Sequence, residues 1–469
     1  MTNRHRILAV LAATAIFGAP AAGQSGPDEE KGWTEIEKAE QNAEKGEYAT
    51  ADQRYRNIAR RYKGSEPGAV ALRRAQPNGF LGSKLVVDHG PSANRVDVVL
   101  MGDGYLLKKQ ESFDRLMESI PKFFERDPVF REYWNFLNVR RANVKSADDQ
   151  VGGFGREADT AFRGGASGLS GGQVRVDHGR VRAALGELPE HDGLALVFVK
   201  SGSHGTGGGG IAAVGGRPSR ELVLHEFGHA FGGLADEYSD DVGYKGDVGV
   251  APNLSDSPDP AEAPWRHWLD AGVKGVGVHE GAAGRAKNAY KPTVRGCMMD
   301  HGSLFCPVCR EVMVLRVYSL VDPIDAAAPE AHGFDAADRA LALAGALPHE
   351  FELTVLQPAS HALDVAWYLF RAEEAPVPPD AVRDRSGDRR ARGPLPPIDA
   401  EAAAVTHPNA RGMHRFKVDP DDLEPGLWRL VVRVRDQVLP AGEKVPWVLL
   451  DPRGLLESER GWWIQVEPN

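Results

Sequence analysis

The sequence predicts a multidomain protein, with a central α/β (α+β) domain between a short N-terminal helical hairpin and a C-terminal β-sandwich. The chain has 469 residues, more than one compact core accommodates. Its apolar residues follow a helical period before residue 79, mixed periods up to residue 335, and a period of two from Phe351 onward. We therefore expect a leader at 1–23, the hairpin at 24–78, the central domain at 79–335, and a linker and sandwich at 336–469.

The N-terminus has the features of a secretory signal peptide. Arg4 and Arg6 precede an apolar run from Ile7 to Phe17, and small residues follow as far as Gly23. The run is too short to span a bilayer, and no cysteine follows it that could carry a lipid anchor. We expect cleavage near Ala21 or Gly23, a secreted or periplasmic protein, and no membrane span elsewhere.

The composition argues against one class of partner. The formal net charge is −10, and the chain is 42% hydrophobic and 26% charged, which is typical of a soluble globular protein. An acidic chain offers no electrostatic basis for binding a polyphosphate. We therefore expect no nucleic acid partner.

The segment Glu35 to Tyr62 predicts two helices, because apolar residues recur at helical spacing and Gly46 marks a turn. The pair resembles a tetratricopeptide hairpin, but so few repeats cannot form a binding superhelix. We expect a helical prefix that packs on the next domain or docks a partner.

The central domain begins as an α/β layer. Arg95–Met101 predicts a strand, Glu111–Phe124 a helix kinked at Pro121, and Tyr133–Val139 another strand. The continuous apolar run Leu194–Lys200 predicts a buried central strand. A short apolar run after the glycines at 207–210 predicts the edge strand of the sheet, where an extended peptide substrate would pair by its main chain. Its residues are Ile211, Ala212, Ala213 and Val214.

The most informative stretch is His225-Glu226-Phe227-Gly228-His229, in a helix predicted from Ser219 to Phe231. Residues four apart share a helix face, so the two imidazoles can bind one zinc ion. Glu226 lies one position further round the helix, close enough to act as general base on a water that the ion activates. The alternative is an amphipathic helix whose histidines are only surface or core residues.

The residues after this motif favour the metal. Gly232 and Gly233 can end the helix and turn the chain back, and Asp236 and Glu237 follow at once as oxygen donors. The motif lacks only a third ligand, and these carboxylates can supply it.

The run HEFGHAFGGLADEY resembles the active-site signature of the igalysin, or IgA-peptidase, family of metzincin-type zinc metalloendopeptidases. The similarity extends over about residues 80–320 and includes RVDVVLMGDGY, PVFREYWNFLNV and FCPVCR. The resemblance implies a metzincin-like zinc peptidase domain, a bound Zn²⁺ and a protein or peptide substrate. It also implies that Met299, in the string CMM, lies in a tight turn beneath the zinc site.

The third zinc ligand departs from the metzincin pattern, which places it at Ala235, a residue with no donor atom. We expect Asp236 instead, because Gly233 can absorb one extra residue. Glu237 is the reserve ligand, and we expect it to point away from the metal and bond a ligand histidine. Asp240 and Asp241 would need a longer loop to return to the metal.

The three cysteines, Cys297, Cys306 and Cys309, fall in one short segment. In an exported chain we expect Cys297 to form a disulfide with Cys306 or Cys309. The alternative is a zinc site that these thiols form together with His301.

The C-terminal part alternates apolar and polar residues in several runs with turn signals between them. These runs predict an immunoglobulin-like β-sandwich, which offers a surface for a partner. In one of them Leu363, Val365, Trp367 and Leu369 share a face. The alanine-rich stretch Ile324–Leu347 predicts a linker. The predicted strands are Phe351–Val355, Ala362–Leu369, Trp428–Val434 and Trp462–Val466.

The function predicted from these residues is a secreted zinc-dependent endopeptidase, in which Glu226 takes a proton from metal-activated water. Two alternatives stay open: a catalytically silent, zinc-containing surface-binding protein, and a zincin of another subtype with a glutamate from a later helix as third ligand. The sequence does not predict the substrate, because loops of unknown shape set the specificity.

Overall fold

The computed structural model describes residues 27–153, 157–166, 173–200, 204–239, 249–343, 348–377, 394–409 and 412–468. The predicted signal peptide at 1–23 lies outside the described residues. The helices are α1 Pro27–Glu44, α2 Tyr48–Arg61, α3 Glu66–Ala75, α4 Gln110–Met117, α5 Pro121–Glu125, α6 Pro128–Glu132, α7 His178–Leu185, α8 Arg220–Phe227, α9 Arg266–Asp270 and α10 Pro307–Leu320. The strands are β1 Phe80–Val87, β2 Val96–Asp103, β3 Leu137–Val144, β4 Gly152–Gly153, β5 Gly165–Ala166, β6 Val174–Arg175, β7 Leu194–Val199, β8 Gly205–Gly208, β9 Ile211–Gly215, β10 His279–Ala282, β11 Arg285–Lys291, β12 Ile324–Ala328, β13 Leu341–Leu343, β14 His349–Val355, β15 Asp364–Arg371, β16 Ala404–Val405, β17 Met413–Val418, β18 Gly426–Arg435 and β19 Glu457–Val466.

These elements form two compact units. The described residues of the first unit fall within 1–127, 137–264 and 277–306, and those of the second fall within 128–136, 265–276 and 307–469. A multidomain α+β protein with several sheets is therefore confirmed, while the domain boundaries at 24, 79 and 336 stay predictions. No helix among the described residues is long and apolar enough to cross a membrane.

The first unit contains a six-stranded sheet in the order β1-β3-β2-β7-β9-β8. The four inner strands are parallel, and β1 and β8 pair antiparallel at the two ends. The strands β2 and β7 are buried along their whole length, as continuous apolar runs predict for central parallel strands. One face of the sheet packs against Val181 and Leu185 of α7.

The predicted edge strand at Ile211–Val214 forms, but its position was wrong. It pairs with β7 on one side and with Gly205–Gly208 on the other, so the latter is the last strand of the sheet in the described part of the chain. The turn between them uses Gly209 at φ 60° and Gly210 at φ 85°, angles that a tight hairpin requires. Three of the four residues of this strand are glycines and carry no alternating pattern, which is why the sequence did not indicate it.

Two further predictions, both for the segment that precedes helix α8 in the chain, need correction. Pro121 does not kink one helix but begins a second one, α5, three residues after α4 ends. The strand predicted from Tyr133 begins only at Leu137, after a 3₁₀ turn at Trp134–Phe136. Tyr133 and Phe136 instead pack edge to face, with ring centroids 5.3 Å apart, so their apolar character serves a cluster and not a strand.

The N-terminal segment forms three helices where two were predicted. Gly46 lies between α1 and α2 with φ 84°, as expected for the turn. The third helix, α3, begins at the N-cap Ser65, whose side chain accepts a hydrogen bond from the Gly68 N–H. Residues from all three helices share one small core that includes Ile36, Tyr55 and Ala71.

The second unit contains two sheets, β12-β14-β17 and β13-β19-β18-β15-β16. Side chains from both sheets, among them Phe351, Trp367 and Trp462, form one hydrophobic core. The predicted common face of β15 is confirmed, because Val365 and Trp367 lie in this core. The predicted linker Ile324–Leu347 was wrong, because β12 and β13 lie within it.

Candidate metal centre

The helix that carries the two histidines has a well-defined start and an unusual end. Ser219 caps its N-terminus, since its side chain accepts a hydrogen bond from the Leu222 N–H at 3.1 Å. The helix is α-helical only to Phe227 and continues as one π-helical turn, Gly228–Gly232. Gly233 ends it with φ 63° in the left-handed region, the role predicted for the glycine pair.

The two histidines point their Nε2 atoms at each other, 3.1 Å apart. Their Nδ1 atoms contact backbone carbonyls, His225 that of Met298 at 3.0 Å and His229 that of Leu234 at 2.6 Å. A carbonyl oxygen only accepts, so each Nδ1 carries a hydrogen and donates it. In the neutral ring each Nε2 then keeps a lone pair, the form in which histidine binds a metal.

Asp236 completes a triangle of donor atoms. Its Oδ1 lies 3.1 Å from the Nε2 of His225 and 3.1 Å from the Nε2 of His229. This buried oxygen accepts no well-formed hydrogen bond, whereas Oδ2 accepts one from the Tyr238 hydroxyl at 2.8 Å. Three atoms with lone pairs therefore face one another, and only a positive species between them removes their repulsion.

The donor triangle fits a zinc ion. A proton on one Nε2 satisfies a single edge of the triangle, while a metal satisfies all three atoms at once. Tetrahedral zinc, with bonds of about 2.0–2.1 Å, separates its N and O ligands by about 3.3 Å, close to the observed spacing. Two neutral imidazoles and one carboxylate are also donor types of catalytic zinc sites.

The charges of these groups depend on one another. Burial lowers the pKa of His225 and of His229, but the Asp236 carboxylate outweighs burial and raises both. Burial raises the pKa of Asp236, yet the two imidazoles 3.1 Å from its Oδ1 outweigh burial and hold the pKa well below its usual range. Asp236 is therefore a carboxylate at neutral pH, as a ligand must be.

Glu226 lies buried beside this triangle, with 4% of its surface exposed. Burial raises the pKa of its carboxyl to about 7, although the two histidines act to lower it. The strand β8 passes directly against it: a Cβ on Gly205 would lie 2.5 Å from the Glu226 side chain, and one on Gly207 would lie 2.4 Å from the Glu226 backbone oxygen. The lack of side chains at these two glycines lets β8 lie close against α8. The sequence analysis did not identify them as site residues.

The structure brings Asp236, and not Glu237, to the histidines, although ligation itself stays a prediction. Glu237 is fully buried and accepts a hydrogen bond from Asn253 Nδ2 at 2.9 Å. The predicted bond from a ligand histidine to Glu237 is wrong, because both Nδ1 atoms donate to backbone carbonyls. Asp240 and Asp241 lie outside the described residues.

Met299 lies directly under the helix, as predicted. It is fully buried, and a Cβ added to Gly228 would come within 2.8 Å of its Sδ. The same turn supplies the Met298 carbonyl that holds His225, and the Met299 carbonyl accepts from the Glu237 N–H at 2.7 Å. Backbone carbonyls have no sequence signature, so this support was missed.

Tyr238 was also missed, although it belongs to the quoted signature. Its ring stacks on His225 and on His301, with centroids 6.3 and 4.8 Å apart. Together with its hydrogen bond to Asp236, this stacking orients both a histidine and the carboxylate of the triangle.

The cysteines predicted to form a disulfide are buried thiols in the structure, and the two that lie in the first unit, Cys297 and Cys306, form one group with Glu237. Their pairing stays a prediction. His301 stacks on Tyr238 and is not part of this group.

Comparison with known proteins adds one finding. Residues 85–275 match the family model described as IgA Peptidase M64. The matched range includes the three atoms of the triangle and Glu226 and ends before the cysteines. No curated protein matches the chain.

Proposed function

We propose that this protein is a secreted zinc-dependent endopeptidase with Glu226 as general base, because residues 85–275 match the family model described as IgA Peptidase M64. The family match confirms the predicted igalysin resemblance and the enzyme class. The identity of the metal, the base and the secretion are the proposal.

The observation that carries the proposal is the triangle of His225 Nε2, His229 Nε2 and Asp236 Oδ1, with edges of 3.1 Å. The backbone carbonyls on both Nδ1 atoms fix the tautomer that leaves a lone pair on each Nε2. A zinc ion held there would act as a Lewis acid toward a water molecule and toward the oxygen of the peptide carbonyl.

Glu226 performs the proton transfers of the hydrolysis. Its carboxylate takes a proton from the water as the oxygen attacks the peptide carbon, and it later donates that proton to the leaving amine nitrogen. The C–N bond breaks in the second step, so atoms and charge balance without another co-reactant. Burial beside the ligand histidines keeps bulk water from competing for the proton.

The corrected sheet order also moves the predicted substrate strand. Ile211–Val214 is internal, so an extended peptide would pair instead with the last strand, Gly205–Gly208, which runs against Glu226. This placement puts the scissile bond beside the base.

The remaining parts of the prediction belong to the same proposal. The first unit would have a metzincin-like fold, for which the position of Met299 under the helix is the support. The two packed sheets of the second unit would be an immunoglobulin-like sandwich that contacts a surface or a partner.

Metal content measured together with proteolysis tests the function. The full-length protein should hydrolyse casein or gelatin, lose this activity with its zinc in a chelator, and regain it when zinc is returned. Hydrolysis that persists after complete removal of the metal would overturn the proposal.

A further inference from the structure

A buried lysine joins the two segments that support the donor triangle. Lys291, the last residue of β11, donates to the Glu237 backbone carbonyl at 2.5 Å and to the Asp300 carboxylate at 2.8 Å. Glu237 directly follows Asp236, and Asp300 ends the 3₁₀ turn that begins at Met298. One ammonium group therefore contacts both segments, and all of these residues lie in the first unit.

The first segment, residues 236–238, is held by hydrogen bonds to three successive backbone carbonyls. The turn between β10 and β11 donates two backbone N–H groups, one to the Asp236 carbonyl at 3.0 Å and one to the Tyr238 carbonyl at 3.1 Å. The Glu237 carbonyl lies between these two and accepts from Lys291. Among these three bonds, the one from Lys291 is made by a side chain, so a substitution can remove it and leave the other two in place.

The second segment is the turn beneath α8. Its Met298 carbonyl accepts from His225 Nδ1 at 3.0 Å, and its next carbonyl accepts from the Glu237 N–H at 2.7 Å. The carboxylate of Asp300 then extends to Lys291. The turn that orients His225 is thus joined to residues 236–238 by one backbone bond and by the Lys291 ammonium group.

Burial and charge indicate what this lysine contributes. The side chains of Lys291 and Asp300 are 7% and 13% exposed, so both lose most of their hydration in the folded protein. The cost of that desolvation offsets much of the attraction in a buried ion pair, and the net gain in stability is small. An ammonium group between two acceptors does fix the distance between them, because its hydrogen bonds are short and directional.

We propose that Lys291 is a positioning residue of the metal centre. It supplies no ligand atom and acts through the Glu237 carbonyl and the Asp300 carboxylate. These two contacts hold Asp236 and the turn that orients His225 at the separation at which the donor triangle forms. The inference rests on the proposed function, because it concerns the same site.

Zinc affinity, measured on the full-length protein by competition with a chelator, tests the proposal. Lys291→Met keeps the length of the side chain and removes its charge. It should weaken zinc binding by about tenfold, the lower end of the effect of outer partners, because the two backbone bonds from the hairpin remain. The rise in Tm that zinc induces should shrink accordingly. In the zinc-loaded protein kcat for peptide hydrolysis should fall by about tenfold with KM nearly unchanged, since a buried lysine does not meet the substrate.

Two further variants separate positioning from stability. The double variant Lys291→Met with Asp300→Asn leaves no buried carboxylate without its cation, so its zinc-free form should unfold near the wild-type temperature while its zinc affinity stays reduced. It also tests the proposal if the single variant fails to fold. The matched control is Lys287→Met at an exposed position of the same strand, which should leave zinc affinity, Tm and kcat unchanged.

Wild-type zinc affinity in either folded Lys291 variant would overturn the proposal. So would a loss of Tm that is equal in the zinc-free and zinc-loaded forms, because it would show that Lys291 contributes only stability. A wild-type protein that binds zinc but hydrolyses no peptide would contradict the proposed function. If Lys291→Met still weakened zinc binding in that case, the positioning role would stand.

Discussion

Two histidine–carboxylate clusters, one in each unit, use the same residue types in opposite ways. In the first unit, the Nδ1–H groups of His225 and His229 donate hydrogen bonds to backbone carbonyls, and the Nε2 atoms face Asp236. In the second unit, both ring nitrogens of His361 face carboxylates. Its Nδ1 lies 2.8 Å from Glu132 Oε1, and its Nε2 lies 2.7 Å from Asp436 Oδ1. Two Nε2 atoms therefore converge on one carboxylate oxygen in the first cluster, whereas each nitrogen of His361 has a carboxylate of its own, which favours the charged ring.

The surroundings of the two clusters agree with this difference. Asp436 also accepts hydrogen bonds from the hydroxyls of Tyr133 and Tyr318, so both oxygens of this carboxylate are engaged within the unit. In the first unit Asp236 Oδ1 accepts no well-formed hydrogen bond, which leaves a place for an external ligand. We therefore propose that the first cluster serves the chemistry, and we expect the second to contribute only stability.

The largest expected effect comes from Glu226, the buried carboxylate beside the first cluster. Glu226→Gln should retain zinc, because both histidines and Asp236 remain, and should reduce peptide hydrolysis by at least on the order of a hundredfold, because the base is lost. Zinc content and kcat measured on the same preparation check this.

The matched control for this variant is Glu221→Gln on the same helix. Glu221 is 52% exposed and pairs only with the neighbouring Arg220 in the ion pairs of the described residues. It should keep wild-type activity. A Glu226→Gln protein that digests casein at a near wild-type rate would show that Glu226 is not the base.

The next effect tests which carboxylate belongs to the triangle. Asp236→Ala should weaken zinc binding at the histidines by more than the roughly 10–100-fold that loss of an outer partner costs. Glu237→Ala should leave the histidine-bound zinc in place, because its side chain lies with the cysteines. Zinc occupancy and activity of the two variants, with the exposed Asp256→Ala as control, decide between them. If Glu237→Ala loses the catalytic zinc and Asp236→Ala holds it, the two assignments must be exchanged.

The sequence predicted the parts of this site that depend on residue type and short spacing. Helical periodicity predicts that His225 and His229 share a helix face with Glu226 beside them. The glycine pair predicts the end of the helix, which Gly233 forms in the left-handed region. The apolar strands β2 and β7 and the alternating strands of the second unit were likewise predictable, since burial alone decides their patterns.

The sequence could not indicate the parts that depend on backbone groups or on distant contacts. The carbonyls of Met298 and Leu234 orient the rings without any side-chain signal. Asn253 accepts a hydrogen bond from the Ala235 N–H and donates one to the Glu237 carboxylate. These contacts join residues far apart in the chain, and hydrophobic periodicity cannot predict them. The strand β8 has only one non-glycine residue, Thr206, so it offered no pattern at all. The cap at Ser65, in contrast, was visible as Ser-Glu-Pro and was overlooked.

A smaller effect tests whether the position of Glu226 depends on that glycine strand. Gly205→Ala should lower kcat by about ten- to a hundredfold with zinc retained, because the new Cβ would lie 2.5 Å from the Glu226 side chain and displace it. The control is Gly333→Ala, where an added Cβ meets no atom within 4 Å. Unchanged kcat in a zinc-loaded Gly205→Ala protein would show that the strand does not position the base.

The smallest expected effect concerns the second cluster and appears only as a dependence of stability on pH. Burial lowers the pKa of His361, but the hydrogen bonds to Asp436 and Glu132 outweigh burial and raise it to about 9. Because the folded pKa lies above the ordinary value of about 6.5, the charged ring stabilises the fold fully below pH 6.5. That contribution is lost as the pH rises through about 9.

His361→Gln should therefore unfold several degrees below wild type at pH 6.5, and the difference in Tm should shrink by pH 9.5. Thermal unfolding of both proteins across this range, in their zinc-loaded form, measures the gap. A gap that stays constant with pH would mean that His361 acts there only through packing, and the contrast between the two clusters would then rest on the first alone.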